Sequence, residues 1–172
     1  MMSTLVIYYS RKGQNYVNGS IEDLEKGNTK IVAEYIAKAA NADLFEVETE
    51  KEYSSDYMTC TEEAKDELRV NARPALKKML TSIEEYDNII VAGPCWWGTY
   101  PMAIFTLLDA LNFNGKNVYP VMTHEGSGLS GAPLALKRHC QGAVVGKGLA
   151  IHGADADISE EACIKWVKNN IK

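Results

Sequence analysis

The sequence predicts an α/β fold: a five-stranded parallel sheet in order 2-1-3-4-5 with helices on both faces. Three observations carry that expectation. Short apolar, β-branched runs alternate with stretches of helical periodicity along the chain. Strict alternation of the two calls for right-handed crossovers between parallel strands. Only five strands are legible, which favours 2-1-3-4-5 over the longer dinucleotide-binding order. The size agrees, because 172 residues, 46% of them hydrophobic and 24% charged, suit one domain spanning 1–172 with a sizeable core.

Thr4–Tyr9 is β-branched and aromatic and reads as a buried strand. From Asn28, the residues Ile31, Val32, Tyr35, Ile36 and Ala39 recur at helical spacing. Asp43–Glu48 alternates Leu44, Phe45 and Val47 with acids, the pattern of a more exposed strand. Thr61–Leu68 is expected to be a helix opened by Thr61 with a glutamate close behind. Pro74 breaks or restarts it, and it is expected to run on to about Leu80. Asn88–Gly93, centred on Ile89-Ile90-Val91-Ala92, is a central strand. Pro101 opens a helix with Met102, Phe105, Leu108 and Leu111 on one face. Asn117–Met122 is the fourth strand, Ala132–Cys140 a helix and Val144–Ile151 the fifth strand. Ser159–Ile171 is the last helix, with Cys163, Trp166 and Val167 facing inward. One stretch does not fit. Strand-to-helix loops usually run about 2–6 residues, yet Arg11–Lys26 separates the first strand from the first helix. It reads as an insertion, rich in Asn and Gly and without a clear period.

Charge and composition exclude several classes. A net charge of −5 argues against nucleic acid or an anionic membrane as the main partner. No apolar run approaches the roughly 20 residues of a membrane helix. The opening Met-Met-Ser-Thr-Leu-Val lacks the charged region and cleavage site of a signal peptide, so a cytoplasmic location is expected. Cys60, Cys95, Cys140 and Cys163 form no CxxC pair, which argues against a zinc site or a disulfide framework.

In such sheets, ligands bind beyond the carboxyl ends of the strands, where the strand order reverses. Here that crevice is lined by the segments after the first, third and fourth strands. After the first come Ser10-Arg11-Lys12-Gly13 and, beyond the insertion, Gly27-Asn28-Thr29 at the mouth of a helix. Hydroxyls, glycine and free amides at a helix N-terminus suit an anion; a plain N-cap by Asn28 or Thr29 is the alternative. Neither GxxxxGK[ST] nor GxGxxG is present, so the triphosphate loop and the dinucleotide fingerprint are both absent. After the third strand come Pro94-Cys95-Trp96-Trp97-Gly98-Thr99-Tyr100-Pro101. Adjacent side chains on an extended segment point opposite ways, so at least one indole is expected to line the crevice as a stacking face. Alternatively, both anchor the loop to neighbouring helices. Gly98 is expected to let a ligand approach the backbone. After the fourth strand, Thr123-His124-Glu125-Gly126-Ser127-Gly128 can aim amides at a heteroaromatic edge. His124 and Glu125 are acid–base candidates, while His139 and His152 read as surface or supporting residues. A phosphate cradle, an aromatic platform and an amide-rich edge together describe a mononucleotide site.

On these residues the sequence resembles the flavodoxin family, from Leu5 to about Lys168. Ser10 and Gly27-Asn28-Thr29 match the two ends of the family's phosphate loop, Trp96-Trp97 stands where an aromatic stacks on the isoalloxazine, and Thr123–Gly128 corresponds to the loop holding the pyrimidine edge. The resemblance implies a flavodoxin-like three-layer sandwich that binds FMN through Ser10, Lys12, Gly27, Asn28, Thr29, Pro94–Thr99, Thr123 and Glu125–Gly128. It departs from the family in the 11–26 insertion, expected to lie beside the phosphate and ribityl chain as a partial lid with a solvated hairpin as the alternative, and in lacking the tyrosine that often covers the outer flavin face after the fourth strand, unless Tyr16, Tyr53 or Tyr57 folds over the ring. The leading reading is electron transfer through bound FMN to transient redox protein partners. The alternative is an NAD(P)H-dependent FMN reductase using a nicotinamide and a small acceptor such as a quinone. A scaffold that has lost its ligand is a third. A phosphorylatable receiver is rejected because Ser10 and Pro94 stand where an acidic cluster is needed, and a low-molecular-weight phosphatase because the loop directly after the first strand has no Cys-x5-Arg motif.

Overall fold

The computed structural model describes residues 2–172. Its main sheet is built from β1 (Thr4–Tyr8), β4 (Asp43–Glu46), β5 (Asn88–Pro94), β6 (Asn117–His124), β7 (Val144–Val145) and β8 (Leu149–His152). The order is β4-β1-β5-β6-β7, with β8 also on β6, and every pairing is parallel. By position this is 2-1-3-4-5, with the fifth strand in two pieces. Helices α1 (Asn28–Ala40) and α5 (Glu160–Asn170) cover one face, while α3 (Met102–Leu108) and α4 (Ala132–His139) cover the other. Alternation along each strand feeds both layers: Leu5 and Ile7 join the α3/α4 core, Val6 and Tyr8 the α1/α5 core. Ile89, Ile90, Val91 and Ala92 are fully buried, which accounts for the unbroken apolar run of a strand covered on both faces. No helix among the described residues is long and apolar enough to cross a membrane.

Three local expectations are corrected, and the form of the insertion is decided. The insertion has order: β2 (Gly13–Val17) and β3 (Ser20–Leu24) pair as an antiparallel hairpin. Asn18 and Gly19, at φ 51° and 90°, form the two-residue turn whose left-handed positions favour Asn-Gly. Helix α2 (Tyr57–Arg69) starts four residues before Thr61, because the Asp56 carboxylate accepts from the Thr59 amide at 2.9 Å. It does not reach Leu80. Asn71 turns left-handed, and Leu76 instead forms an antiparallel bridge with Thr49. Helix α3 ends at Leu108, short of Leu111.

The fifth strand is broken for a reason that lies in its neighbour. Val118 pairs with Val145 and Val121 with Leu149, so the outer strand carries one extra residue, a bulge. In parallel pairing alternate residues face opposite neighbours. Asn117 bonds toward β5 and Val118 accepts from Gly146, which turns Pro120, lacking an N–H, toward the break. Gly148 packs so closely on the Pro120 carbonyl, 2.7 Å from where a Cβ would stand, that a side chain has no room.

Candidate functional site

A cavity of about 590 Å³ opens at the carboxyl ends of β1, β5 and β6, where the chain leaves β1 to one side and β5 lies on the other. Its inner end is the start of α1. Asn28 and Thr29 line it, and among the described residues their amides have no protein acceptor. The Thr29 hydroxyl is 2.7 Å from that of Thr123, tying the helix start to the end of β6. Ser10 plays a different part. Its hydroxyl accepts from the Lys30 amide at 3.0 Å and so caps α1 from the neighbouring strand. Gly27 is fitted between, its missing Cβ overlapping the Ser10 hydroxyl and lying 2.5 Å from the Arg11 carbonyl oxygen.

The segment after β5 is a tight turn. Trp96 donates its amide to the Thr99 carbonyl at 2.8 Å, with Trp97 and Gly98 at φ 57° and 83°. Gly98 thus supplies a left-handed turn position, and its carbonyl accepts from Gly131 at 2.9 Å. For Trp97 the same backbone region costs about 1–2 kcal/mol, a strain placed in the cavity wall. The two indoles divide the alternatives. Trp96 is wedged edge-on between Tyr9 and Tyr53, with ring centroids at 5.2 and 5.3 Å. Trp97 is half exposed, donates its ring N–H to the Thr61 carbonyl at 2.9 Å and lies under the Lys65 ammonium. Both line the cavity, as do Pro94 and Cys95; Gly98 and Thr99 do not.

From the loop after β6, Thr123, His124, Glu125 and Ser127 line the cavity, whereas Gly126 and Gly128 shape the turn. His124 accepts the Gly126 amide at Nδ1 (2.8 Å), so its neutral ring carries the proton on Nε2. Burial, then the nearby His152 ring, holds its pKa below the usual imidazole value, against the pull of Glu125. Glu125 accepts the Asn18 amide at 2.7 Å and faces His152 at 3.7 Å, linking the hairpin tip to this loop. The Ser127 hydroxyl donates to Cys95 Sγ at 3.4 Å.

Of the outer wall, sequence reasoning offered Tyr16, Tyr57 and the insertion as cover and missed the rest. Asn15 and Tyr16 come from the hairpin, and Tyr57, Met58, Cys60, Thr61 and Ala64 from α2. Tyr16 and Tyr57 stack at 6.1 Å. The Asn18-Gly19 pair could have revealed the hairpin, but nothing local shows α2 folding over the cavity. Arg11, at the hairpin root, donates to the carbonyls of Gln14 (2.9 Å) and Ser54 (2.8 Å). It also borders a second cleft, into which Ser10, Lys12 and Gly27 fall. Among the described residues no cluster of three or more His, Cys, Asp or Glu is placed to hold a metal.

The family model described as Flavodoxin matches residues 24–170. No curated protein matches the chain. Among solved structures, a provisionally assigned flavoprotein from Bacteroides uniformis is 30% identical, with 97% of this chain and 98% of that one covered and a TM-score of 0.78. A flavoprotein in complex with FMN from Lactobacillus acidophilus is 23% identical, with 94% and 99% covered and a TM-score of 0.65, a likeness of fold. With a family model matching most of its length and a parallel sheet in the order described, the chain belongs to the flavodoxin family.

Proposed function

We propose that this protein binds FMN in the cavity and transfers electrons through it. The observation that carries the reading is the meeting, in one cavity at the switch point, of two indoles and the two unpartnered amides that open α1. The Lactobacillus relative crystallised with FMN supports it. The residues suit the group. Asn28 and Thr29 offer amides and helix-dipole charge to a phosphate. Arg11, whose hydrogen-bond partners are all carbonyls, adds a positive charge nearby. Ser10 and Gly27 act by holding the helix start, with Lys12 on the far side. Trp96 and Trp97 offer faces to the ring; Thr123, Glu125 and Ser127, with the backbone of Gly126 and Gly128, offer polar contacts to its edge. Bound FMN supplies one- or two-electron chemistry, while the chain binds, orients and shields it.

Tyr16 and Tyr57 add aromatic cover from the outer wall, which supports a carrier that hands electrons to transient protein partners. The absence of an aromatic in Thr123–Gly128 favours the second reading, a reductase passing electrons from a nicotinamide to a small acceptor such as a quinone. Titration with FMN and riboflavin tests the site. FMN fluorescence should be quenched on binding. Riboflavin should bind about a hundredfold more weakly, since it lacks the charge-assisted hydrogen bonds, each worth about 1.5–3 kcal/mol. Equal affinities would remove the phosphate assignment. Steady oxidation of NAD(P)H with a quinone would decide for the reductase.

A further inference from the structure

One buried charge has no part in that reading. Glu67 is 8% exposed, on the inward side of α2. A carboxylate buried this far must be paired and hydrogen-bonded. Its Oε1 accepts the Tyr53 hydroxyl at 2.6 Å, and Lys51 Nζ stands 3.3 Å from Oε2. Burial first, then the bond to Glu67, raises the Tyr53 pKa far above the ordinary phenol value. Tyr53 in turn meets Trp96 edge-on, with planes at 90°. Trp96 lines the cavity, whereas Tyr53 and Lys51 line the second cleft. An unbroken aromatic contact therefore joins the two clefts, and it ends on a phenol already bonded to a base.

We propose that Trp96, Tyr53 and Glu67 form a proton-coupled relay carrying an oxidising equivalent from the cavity to the second cleft. A one-electron oxidant in the cavity removes an electron from the Trp96 indole and is itself reduced. The indole radical cation takes an electron from Tyr53 as the phenol proton passes to Glu67 Oε1. The products are a restored Trp96, a neutral tyrosyl radical at Tyr53 and a protonated Glu67. A soluble one-electron reductant of the ascorbate class, reaching the second cleft, then gives an electron to Tyr53 and is itself oxidised, and the proton goes back from Glu67 Oε1 to the phenol oxygen. A phenol that keeps its proton is hard to oxidise; one whose proton leaves with the electron is not, and a base at hydrogen-bond distance supplies that path. Tyr9 is the internal contrast. It touches Trp96 at nearly the same distance, 5.2 Å, but among the described residues its hydroxyl donates to no carboxylate.

The oxidant can be any one-electron oxidant reaching Trp96. A photoexcited flavin is one under the reading above, and an azide radical from solution is another. The test uses the second, on the flavin-free full chain, so its failure leaves FMN binding untouched. A Trp97→Phe background leaves Trp96 as the accessible indole, since Trp166 is 5% exposed. After pulsed generation of azide radicals, the indolyl absorbance should decay into tyrosyl absorbance, first order and independent of protein concentration. Tyr53→Phe should abolish that step. Glu67→Gln should slow it about a hundredfold, the scale of general-base assistance, and Tyr9→Phe should leave it unchanged. The wild-type step should also slow in D2O, a readout that needs no variant to fold. An unchanged rate in D2O, in Tyr53→Phe or in Glu67→Gln overturns the relay, as does a loss in Tyr9→Phe equal to that in Tyr53→Phe.

Discussion

Arg11 stands between two clefts of equal volume, about 590 Å³ each, with opposite surfaces. The first is walled by Trp96, Trp97, Tyr16 and Tyr57 and has free amides at one end. The second is walled by charges of both signs, some of them paired within the chain: Lys51 faces Glu67, Lys77 faces Glu48, and Lys26 faces Glu34. A flat aromatic ligand gains area and stacking in the first. In the second it would strip water from charged side chains without offering them a partner. Volume does not separate the two; the side chains do. Arg11 lines both clefts and Ser10 and Gly27 beside it line the second, so substitutions there and on each side test the contrast.

The largest effect is expected at Gly27. Gly27→Ala would drive a Cβ to within 2.5 Å of the Arg11 carbonyl oxygen, where backbone must move. We expect about 3 kcal/mol lower unfolding stability, the upper range for overpacking, and weakened FMN binding, measured by urea denaturation and titration. A variant as stable as wild type would mean the packing there is soft. Next comes Glu67→Ala. Lys51 is half exposed and returns to water, while the Tyr53 hydroxyl loses its acceptor. About 2 kcal/mol of stability should be lost, with FMN affinity little changed, as expected of a residue outside the first cleft.

A smaller effect is expected from Trp97→Ala. FMN affinity should fall by about 1 kcal/mol, or roughly fivefold, for one lost aromatic contact. Alanine keeps the Cβ, so the left-handed strain is unchanged, and because the indole is half exposed stability should stay near wild type. Unchanged FMN affinity and quenching would assign the platform to Trp96 alone. The smallest concerns pH. The His124 pKa is depressed in the fold, so the unfolded chain binds more protons below about pH 6.5. That contribution is complete above the unfolded pKa and is lost as pH falls from there toward the folded one. The urea midpoint should therefore fall with acidification through that window, and His124→Gln should flatten the profile there. An equally steep profile in the variant would place the dependence elsewhere.

How far the site was legible depends on how local its causes are. That Trp96-Trp97 and Asn28-Thr29 meet at one cavity was readable because they follow strands whose apolar runs are unmistakable, and the ends of such strands meet at one edge. The hairpin carried its signal in Asn18-Gly19, but most of its residues are exposed, so no apolar alternation marked the strands. The start of α2 was misread because Thr61 resembles a cap, whereas Asp56 is the residue whose carboxylate reaches an amide.

By itself the sequence determined what repeats with the period of the backbone: the alternation of strands and helices, which faces are apolar, and hence the parallel sheet and the edge at which the cavity opens. Only the tertiary structure decided what depends on residues distant in sequence. Pro120 breaks the fifth strand beside Gly148. Helix α2 and the hairpin close the outer wall of the cavity. Ser10 reaches across to cap Lys30, and Tyr53 reaches Glu67 behind Trp96. The physical reason is one of range: periodicity is set by neighbours along the chain, whereas a hydrogen bond or a ring contact is set by where packing brings two distant segments together.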